Sequence, residues 1–411
     1  MVSAFGAGRD AFWTNISQGV SGTRAITDFD ASTYPCRVAA PVPPLVDGFE
    51  PLPGEHGRAD TRADPRRYSR AAMFGVRAAR EAWNDAGLRF GEPRAGVIIG
   101  SGGGGIDVGE QQYKDFFTND GRHVTPYAIA LGICGMVSSE ISIALGLHGI
   151  SHVLSTGCTS STDAMGYARM LLLLDEYDVL LSGGTDGCVL PGMVFGFSRM
   201  RAVSTAYNDR PSEASRPFDR GRDGFVLGEG ARMLALERED RARARGARIY
   251  ACIEGYASTC DAYHRVQMDP DGAEIVRCMR TALAQAGRAP EEIGYVNYHG
   301  TSTQLNDAIE SRCTRATLGE VADRVPGSST KSMIGHPQGA SGAAGVVAAA
   351  LALANGFLPP TINLDDPDPA CDMDFIPNQG RAVQAEAALC NCLGFGSKNS
   401  ALVLGAADAR S

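Results

Sequence analysis

Ser155-Thr-Gly-Cys-Thr-Ser-Ser-Thr162 is the stretch that decides the fold of this chain, because it joins an apolar segment at 149–155 to a segment of small and apolar residues at 163–174. The first segment predicts a buried strand and the second a helix. Cys158 would then lie near a helix N-terminus, whose unpaired N–H groups and dipole favour a thiolate, so we expect the pKa of this thiol to be lowered. The same N–H groups would bind the oxygen of a thioester. A buried structural cysteine is an equally open interpretation of this stretch alone.

Strands and helices alternate on both sides of this turn. A helix is predicted at 9–18, with no strand before it, and another at 65–86, while residues 39–64 are rich in proline, glycine and charge and predict a surface loop. Further strands are predicted at 94–100, 178–183, 231–237, 249–255, 293–298 and 400–405. This alternation predicts a layered α/β fold with a largely parallel core, and the charged segment 238–248 is its predicted midpoint.

Composition narrows the class of protein. The 411 residues are enough for two medium domains or one large one. The 11 cysteines are an odd number and no signal peptide is recognisable, so we expect a reducing cytoplasm rather than a disulfide framework. No apolar run is long enough to span a membrane. A net charge of -9 without a dense Lys/Arg run argues against nucleic-acid binding.

Two histidines occur in turn-like motifs beside predicted strands or helices. His299 lies in Val296-Asn-Tyr-His-Gly-Thr-Ser-Thr303, and His336 lies in Lys331-Ser-Met-Ile-Gly-His-Pro-Gln-Gly-Ala-Ser-Gly342. Each histidine taken alone is more often structural than catalytic. Together with Cys158 they form a set of loop residues at strand ends, which is where α/β folds place their chemistry.

Five motifs occur in order along essentially the whole chain. They are Ser-Thr-Gly-Cys-Thr-Ser around Cys158, Pro217-Phe-Asp-Arg-Gly-Arg-Asp-Gly-Phe-Val-Leu-Gly-Glu-Gly230, His299-Gly-Thr-Ser-Thr303, Lys331-Ser-Met-Ile-Gly-His336 and Gly394-Phe-Gly396. In this combination the chain resembles the β-ketoacyl-[acyl carrier protein] synthases.

A finer resemblance is to the ketosynthase (alpha) subunit of bacterial type II polyketide synthases, which take part in antibiotic biosynthesis. It rests on Ser-Thr-Gly-Cys-Thr-Ser, on Tyr256-Ala-Ser-Thr-Cys-Asp-Ala-Tyr-His264 and on Asp368-Pro-Ala-Cys-Asp-Met-Asp-Phe-Ile-Pro377. Fatty-acid elongation synthases share the catalytic residues and are the alternative within the family.

The resemblance implies the thiolase fold, in which two similar α/β halves form five layers (αβαβα), usually as a dimer. We expect residues 1–245 to carry the nucleophilic cysteine and 246–411 to carry the two histidines. The implied reaction transfers an acyl group from a carrier protein to Cys158 as a thioester. Decarboxylation of malonyl-carrier protein then gives an enolate that attacks this thioester and extends the chain by two carbons. No cofactor is implied apart from the phosphopantetheine arm of the acyl carrier protein, and no metal.

The resemblance also assigns roles to single residues of the reaction centre. His299 and His336 would stabilise the enolate oxygen and handle protons, which suits neutral imidazoles in a dry pocket. Lys331 would order the site through a salt bridge to Glu310. From the sequence alone, Glu310 is equally compatible with an ordinary exposed charge on a helix.

Other roles concern substrate binding. Thr301 and Thr303 would bind the phosphopantetheine arm. Phe395 would act as the gate, and its N–H group and that of Cys158 would form the oxyanion hole. Gly103 lies in the glycine run 102–105, which lacks the features of a nucleotide-binding loop and predicts a tight turn close to a ligand. A glycine at this position would widen the acyl pocket.

Departures from the family pattern and the partners complete the expectations. The usual first strand is missing, so either the start codon is misplaced or this edge position of the sheet is lost. Because the chain has Cys158, it resembles the catalytic half of a heterodimer with a chain-length-factor homologue that lacks the cysteine, and a homodimer remains possible. Carrier proteins are acidic, so Arg66, Arg67 and Arg201 are candidate contacts, although each is also compatible with ordinary solvated surface.

Competing functions are weaker. A thiolase would use a second cysteine as a base, and Cys392 is a candidate, but it lies outside the thiolase motif. A starter-condensing synthase would pair histidine with asparagine, which His336 disfavours. A non-catalytic scaffold or carrier-protein-binding module would need none of the catalytic residues. A serine hydrolase lacks its Gly-x-Ser-x-Gly motif, and the Cys and His residues lack metal-ligand spacing.

Overall fold

The computed structural model describes residues 1–45, 52–55 and 68–407. Its helices are α1 (Arg9–Ser17), α2 (Arg70–Asp85), α3 (Ile106–Thr118), α4 (Ala128–Gly132), α5 (Met136–Leu145), α6 (Ser160–Leu173), α7 (Pro191–Arg199), α8 (Glu239–Ala244), α9 (Ala273–Ala286), α10 (Gln304–Leu318), α11 (Lys331–Ile334) and α12 (Ser341–Asn355). Its strands are β1 (Val2–Ser3), β2 (Gly6–Ala7), β3 (Arg24–Ala25), β4 (Val38–Ala40), β5 (Ala95–Gly100), β6 (Ser151–Leu154), β7 (Val179–Asp186), β8 (Leu227–Gly228), β9 (Gly230–Glu237), β10 (Ala251–Cys260), β11 (Tyr295–Asn297), β12 (Gly327–Ser328), β13 (Phe357–Leu358), β14 (Arg381–Ala382), β15 (Ala387–Gly394) and β16 (Lys398–Ala406).

Two mixed sheets form the frame of the molecule. The six-stranded sheet has the order β2-β1-β9-β7-β5-β6, and the five-stranded sheet has the order β10-β16-β15-β11-β12. In the first sheet β5 runs parallel to β6 and β7, and β9 is antiparallel to β7. In the second sheet β11 runs parallel to β12 and β15, and β16 is antiparallel to β15 and β10. The expectation of a largely parallel core is therefore right for only part of each sheet.

Helices cover both faces of each sheet, as the alternation of buried side chains along the strands requires. On β5, Val97 and Ile99 pack in a cluster with residues of α2 and α5, whereas Ile98 packs with residues of α6 on the other face. On β16, Val403 packs with α9, whereas Leu402 and Leu404 pack with α12. The order is thus helices, sheet, helices, sheet, helices, with α6 and α12 in the central layer.

The two central helices are built from small residues because they lie between two sheets. Every residue of α12 from Ser341 to Leu353 is buried, which is expected of a helix that is apolar on all sides. A Cβ atom on Gly342 would lie 1.9 Å from Thr162 Oγ1 of α6, so only glycine permits this close approach.

The strands of the six-stranded sheet lie within 2–237 and those of the five-stranded sheet within 251–406. The predicted division between 245 and 246 falls between these two sets and stays a prediction.

Three expectations about strands need correction. A short strand, β1, precedes the first helix and pairs with β9 through Val2 and Ala231, so the edge position is present; two residues are too few to show an alternating pattern. Beyond this pair, β9 faces a cavity of about 660 Å³ between α2 and α12. The central strand β15 was not predicted, because Ala, Leu and Cys dominate it rather than β-branched residues. Strand β6 is a half-exposed edge strand and not a buried one.

Two further outcomes concern the surface. The predicted loop at 39–64 begins within β4, and part of it lies outside the described residues, as do Arg66 and Arg67. Among the described helices, none combines the length and the apolarity needed to cross a membrane.

Candidate active site

Three turns bring the nucleophile and the two histidines to one place. Cys158 lies in the short 3-10 turn Gly157–Thr159 that leads into α6, and Gly157 adopts a φ of 71° that favours glycine. His299 lies two residues after the end of β11, and His336 lies between α11 and α12. All three side chains are buried.

The side-chain atoms of these three residues lie close together. His336 Nε2 lies 3.2 Å from Cys158 Sγ. The rings of His299 and His336 are 5.3 Å apart between centroids, at 88° to each other. One side-chain atom from each of the three residues lies within 4.8 Å of the other two. The structure therefore brings together the three residues that the sequence motifs single out, and their individual roles stay predictions.

Residues of the motif at 217–230 hydrogen-bond to the backbone of His336 and pack against its ring. The N–H of His336 donates to the Val226 carbonyl at 2.7 Å, and the N–H of Gly228 donates to the His336 carbonyl at 3.0 Å. The Phe225 ring meets the imidazole edge-on, with 5.3 Å between centroids. These contacts clamp the backbone of the histidine on both sides. The sequence identified this motif as part of the family pattern but gave no reason for it.

Glu310 holds His299 by its backbone. The buried carboxylate of Glu310 on α10 accepts the N–H of His299 at 2.7 Å and the N–H of Gly300 at 2.8 Å. An ordinary exposed position for Glu310 is therefore wrong. Asp307, one turn earlier on α10, accepts the N–H groups of Thr301 at 2.9 Å and Ser302 at 3.1 Å. Two carboxylates of one helix thus fix the turn that carries the histidine, and Asp307 was missed because no motif marks it.

The expected salt bridge between Lys331 and Glu310 is not formed. Within the described residues no ion pair joins these two side chains, and the Glu310 carboxylate accepts backbone N–H groups instead. Lys331 is buried, and burial lowers the pKa of its ammonium, while Cys392, Glu310 and Cys158 act in the opposite direction. Lys331 therefore lies near enough to act electrostatically on the Cys158 thiol, without a direct ion pair to Glu310.

The electrostatics differ from the expectation for the thiol. Burial raises the pKa of Cys158 to about 11, and the opposing effects of the Lys331 charge and of the N–H groups of Phe395 and Cys158 are smaller. The predicted lowering of this pKa is thus wrong, because the helix N-terminus lies inside the protein and desolvation penalises the thiolate. Burial also holds the pKa of His299 and of His336 well below 6.5. At neutral pH the site consists of a thiol and two neutral imidazoles.

The predicted gate and oxyanion hole lie beside the sulfur. The N–H groups of Phe395 and Cys158 lie near enough to the thiol sulfur to oppose the rise of its pKa, while the Phe395 side chain is 37% exposed. The turn is fastened by Ser397, whose hydroxyl donates to the His264 carbonyl at 2.9 Å and accepts the His264 N–H at 3.1 Å. The predicted arm-binding residues are also adjacent, with 2.9 Å between the hydroxyls of Thr301 and Thr303.

The glycine run has a structural cause that the sequence did not reveal. The buried carboxylate of Asp186, at the end of β7, accepts the N–H of Gly102 at 2.9 Å, of Gly103 at 2.8 Å and of Gly339 at 2.6 Å. A Cβ atom on Gly103 would lie 2.8 Å from Cys188 Sγ. Gly103 therefore packs against protein and does not face open space, so the proposed widening of an acyl pocket at this residue is not supported by its contacts.

Other predicted positions are peripheral or ambiguous. Arg201 is exposed, which is compatible with either of its two interpretations. His152 and His264 are exposed as well and lie outside the cluster. The atoms of Cys158, His299 and His336 are close enough together to ligate a metal, although their spacing in the sequence indicated no metal site; the expected absence of a metal stays a prediction.

Models of two domains match most of the chain: the N-terminal domain of beta-ketoacyl synthase at residues 1–242 and the C-terminal domain of beta-ketoacyl synthase at residues 250–365. The chain belongs to the beta-ketoacyl synthase family. It is an acyltransferase with the thiolase fold, as predicted.

Relatives within the family have two kinds of name. The chain is 39% identical to 3-oxoacyl-[acyl-carrier-protein] synthase 2 of Coxiella burnetii, over 98% of this chain and 96% of the relative. It is also 39% identical to the tetracenomycin polyketide synthase ketoacyl synthase alpha subunit of Streptomyces glaucescens, over 97% of this chain and 93% of the relative.

Two solved structures with the same fold contain ketosynthases. One is a type II PKS acyl-carrier protein in complex with its ketosynthase (AntDE:AntF), with a TM-score of 0.87 and 30% identity, covering 98% of this chain and 97% of that chain. The other is the ishigamide ketosynthase/chain length factor, with a TM-score of 0.88 and 32% identity, covering 98% of this chain and 96% of that chain.

Proposed function

We propose that this beta-ketoacyl synthase is the ketosynthase of a type II polyketide synthase, which condenses malonyl-[acyl carrier protein] with an acyl chain held on Cys158. The observation that carries the proposal is the buried group of one thiol and two neutral imidazoles, with 3.2 Å between Cys158 Sγ and His336 Nε2. Elongation of fatty acids is the alternative, and relatives of both kinds are equally similar in sequence.

The acylation half-reaction follows from the neutral state of the site. The Cys158 sulfur attacks the thioester of the acyl carrier, and its proton passes to His336 Nε2 because that atom is its hydrogen-bond partner. The proton then leaves with the thiol of the carrier. The N–H groups of Phe395 and Cys158 would stabilise the negative charge that develops on the thioester oxygen when the sulfur adds to the carbonyl carbon.

The condensation half-reaction uses the same group after Cys158 has become a thioester. The malonyl carboxylate leaves as CO₂, and its electron pair forms an enolate whose oxygen lies beside the imidazoles. The enolate carbon attacks the Cys158 thioester, the carbon–sulfur bond breaks, and the thiolate that is released takes up one proton from the solvent. Since burial keeps both histidines neutral, they supply hydrogen bonds and accept protons without introducing a positive charge.

The carrier protein supplies the only prosthetic group that this reaction needs. Its phosphopantetheine arm would bind at the paired hydroxyls of Thr301 and Thr303, next to the turn of His299. The AntDE:AntF complex supports a carrier protein as partner, because it holds a ketosynthase of the same fold together with its acyl-carrier protein.

A second subunit would cover an apolar face beside the edge of the first sheet. Strand β6 is the last strand of that sheet, and in the described part of the chain no further strand pairs with it. Helices α3 to α5 and the end of α6 expose large apolar side chains there, including Phe117 (78% exposed), Ile129 (75%) and Leu174 (68%). Such a face is typical of a protein interface. The partner is a chain-length-factor homologue that lacks the cysteine, or a second copy of this chain.

The test is the intact mass of carrier-bound products after incubation with acyl-carrier and malonyl-carrier protein, beside a Cys158→Ala control. A carrier extended by one two-carbon β-keto unit, absent from the control, would establish the condensation. Further unreduced extensions would support the polyketide role, whereas a single extension of long saturated acyl carriers would support fatty-acid elongation. Activity only after co-expression with the cysteine-lacking homologue would establish the heterodimer. An enzyme that leaves Cys158 unacylated in every combination would refute the proposal.

A further inference from the structure

Cys392 lies inside the reaction centre, and the chemistry above gives it no task. It is buried on β15, and its thiol donates to the Cys158 carbonyl at 3.1 Å. The same sulfur lies 3.7 Å from His299 Nδ1. The side chain therefore links the backbone of the nucleophile to the ring of the histidine.

The Cys392 thiol has a single proton, and this decides which group is the donor in the contact between Cys392 Sγ and His299 Nδ1. A thiol has one proton to donate, and the carbonyl of Cys158 is the nearer acceptor. The sulfur then has only lone pairs to offer His299, so Nδ1 has to carry the proton in order to donate to it. The tautomer of a histidine is set by the hydrogen bond that its other nitrogen makes.

We propose that Cys392 is a positioning residue that keeps His299 in the tautomer protonated at Nδ1, so that Nε2 presents a lone pair to the reacting atoms. This inference deepens the proposed function and rests on it. Toward the reacting atoms, His299 Nε2 is then a hydrogen-bond acceptor, as His336 Nε2 is toward the Cys158 thiol.

Cys392 does not act as the second base that a thiolase would need. Burial raises the pKa of its thiol to about 12, so the group stays protonated at neutral pH. Its proton is engaged by the Cys158 carbonyl, which is fixed within the 3-10 turn.

The direct test is ¹⁵N NMR of the protein labelled at its seven histidine rings, with the His299 signals assigned by their loss in His299→Asn. The wild type should show His299 protonated at Nδ1 and unprotonated at Nε2. Cys392→Ala should release the proton to Nε2 or to a mixture, whereas Cys392→Ser should keep the wild-type pattern because a hydroxyl donates and accepts in the same way. Cys390→Ala is the matched control, since this thiol is also buried on β15 and packs in a separate apolar cluster.

The kinetic test measures the condensation half-reaction. Cys392→Ala should lower kcat for condensation on the order of 10- to 100-fold, the usual loss when the partner that orients a functional histidine is removed. The KM for malonyl-carrier protein should stay within about twofold, since the contacts of Cys392 are with the Cys158 carbonyl and the His299 ring and not with the predicted arm-binding hydroxyls. Cys392→Ser should restore most of kcat, and Cys390→Ala should match the wild type.

The outcomes separate this inference from the proposed function. A wild-type His299 protonated at Nε2 overturns the inference, and this holds even where Cys392→Ala fails to fold. An unchanged tautomer in Cys392→Ala overturns it as well. A wild type with the expected tautomer and no condensation with any carrier substrate would refute the proposed function and leave the structural role of Cys392 standing.

Discussion

Replacing Glu310 should loosen the turn that carries His299. The carboxylate accepts two buried N–H groups, from His299 and Gly300, and Glu310→Ala leaves both without a partner. An unsatisfied buried N–H costs about 1–3 kcal/mol, so the free energy of unfolding should fall by about 2–6 kcal/mol. Glu310→Gln should lose roughly half as much, because its amide oxygen replaces one acceptor.

The loss of stability in Glu310→Ala should also depend on pH. Burial raises the pKa of Glu310 to about 7, against the N–H groups of Gly300 and His299, which lower it. A carboxyl whose pKa is higher in the folded state than in the unfolded state stabilises the fold fully below its unfolded value, and this contribution is lost as pH rises through the folded value. The loss of stability in Glu310→Ala should therefore be larger at pH 5.5 than at pH 8.

The assay is urea unfolding followed by circular dichroism at both pH values, together with the condensation rate. Glu320→Ala is the matched control, since this glutamate is exposed just after the same helix. Its stability should stay within about 0.5 kcal/mol of the wild type. A loss below about 1 kcal/mol in Glu310→Ala, or a loss that grows between pH 5.5 and pH 8, would refute the reasoning.

Three further predictions address the thiol, the glycine run and the arm-binding hydroxyls. Because burial raises the pKa of Cys158 to about 11, its alkylation rate by iodoacetamide, followed by mass spectrometry, should still be rising between pH 8 and pH 9; a plateau below pH 8 would contradict this. Gly103→Ala should lower the free energy of unfolding by about 1–3 kcal/mol in thermal unfolding, because the added Cβ would clash with Cys188 Sγ. Adding Cys188→Ala should recover part of the loss, and no recovery would contradict the assignment of the clash to Cys188. Thr301→Val or Thr303→Val should raise the KM for carrier-bound substrates about two- to tenfold, but not the KM for a thioester that lacks the arm.

The sequence predicted the turns that carry the site residues better than it predicted the strands of the two sheets. Cys158, His299 and His336 each follow or precede an element with a clear pattern, and turns at strand ends meet in an α/β fold. The strand β15 was missed because its alanine and cysteine residues favour a strand only when two sheets and a helix surround them. Its position at the centre of the second sheet is a tertiary property.

The same limit applies to the electrostatics and to the supporting carboxylates. The pKa of Cys158 depends on how deeply the start of α6 is buried, which the local sequence does not record. Asp186 and Asp307 have no motif of their own, because each acts on N–H groups of distant or irregular backbone. Glu310 was identified through the family pattern, but its bond to the backbone of His299 required the structure.

The close approach of α6 and α12 at Gly342 makes the core itself part of the catalytic geometry. Cys158 lies just before α6, and His336 lies shortly before α12. The distance between the Cys158 sulfur and the His336 imidazole therefore depends on how these two helices are placed between the sheets. A side chain at position 342 would push α12 away from α6 at Thr162. It would thereby move Cys158 away from His336 without contacting Cys158 or His336. Substitutions in the central layer that touch neither catalytic side chain would thus behave as rate mutations.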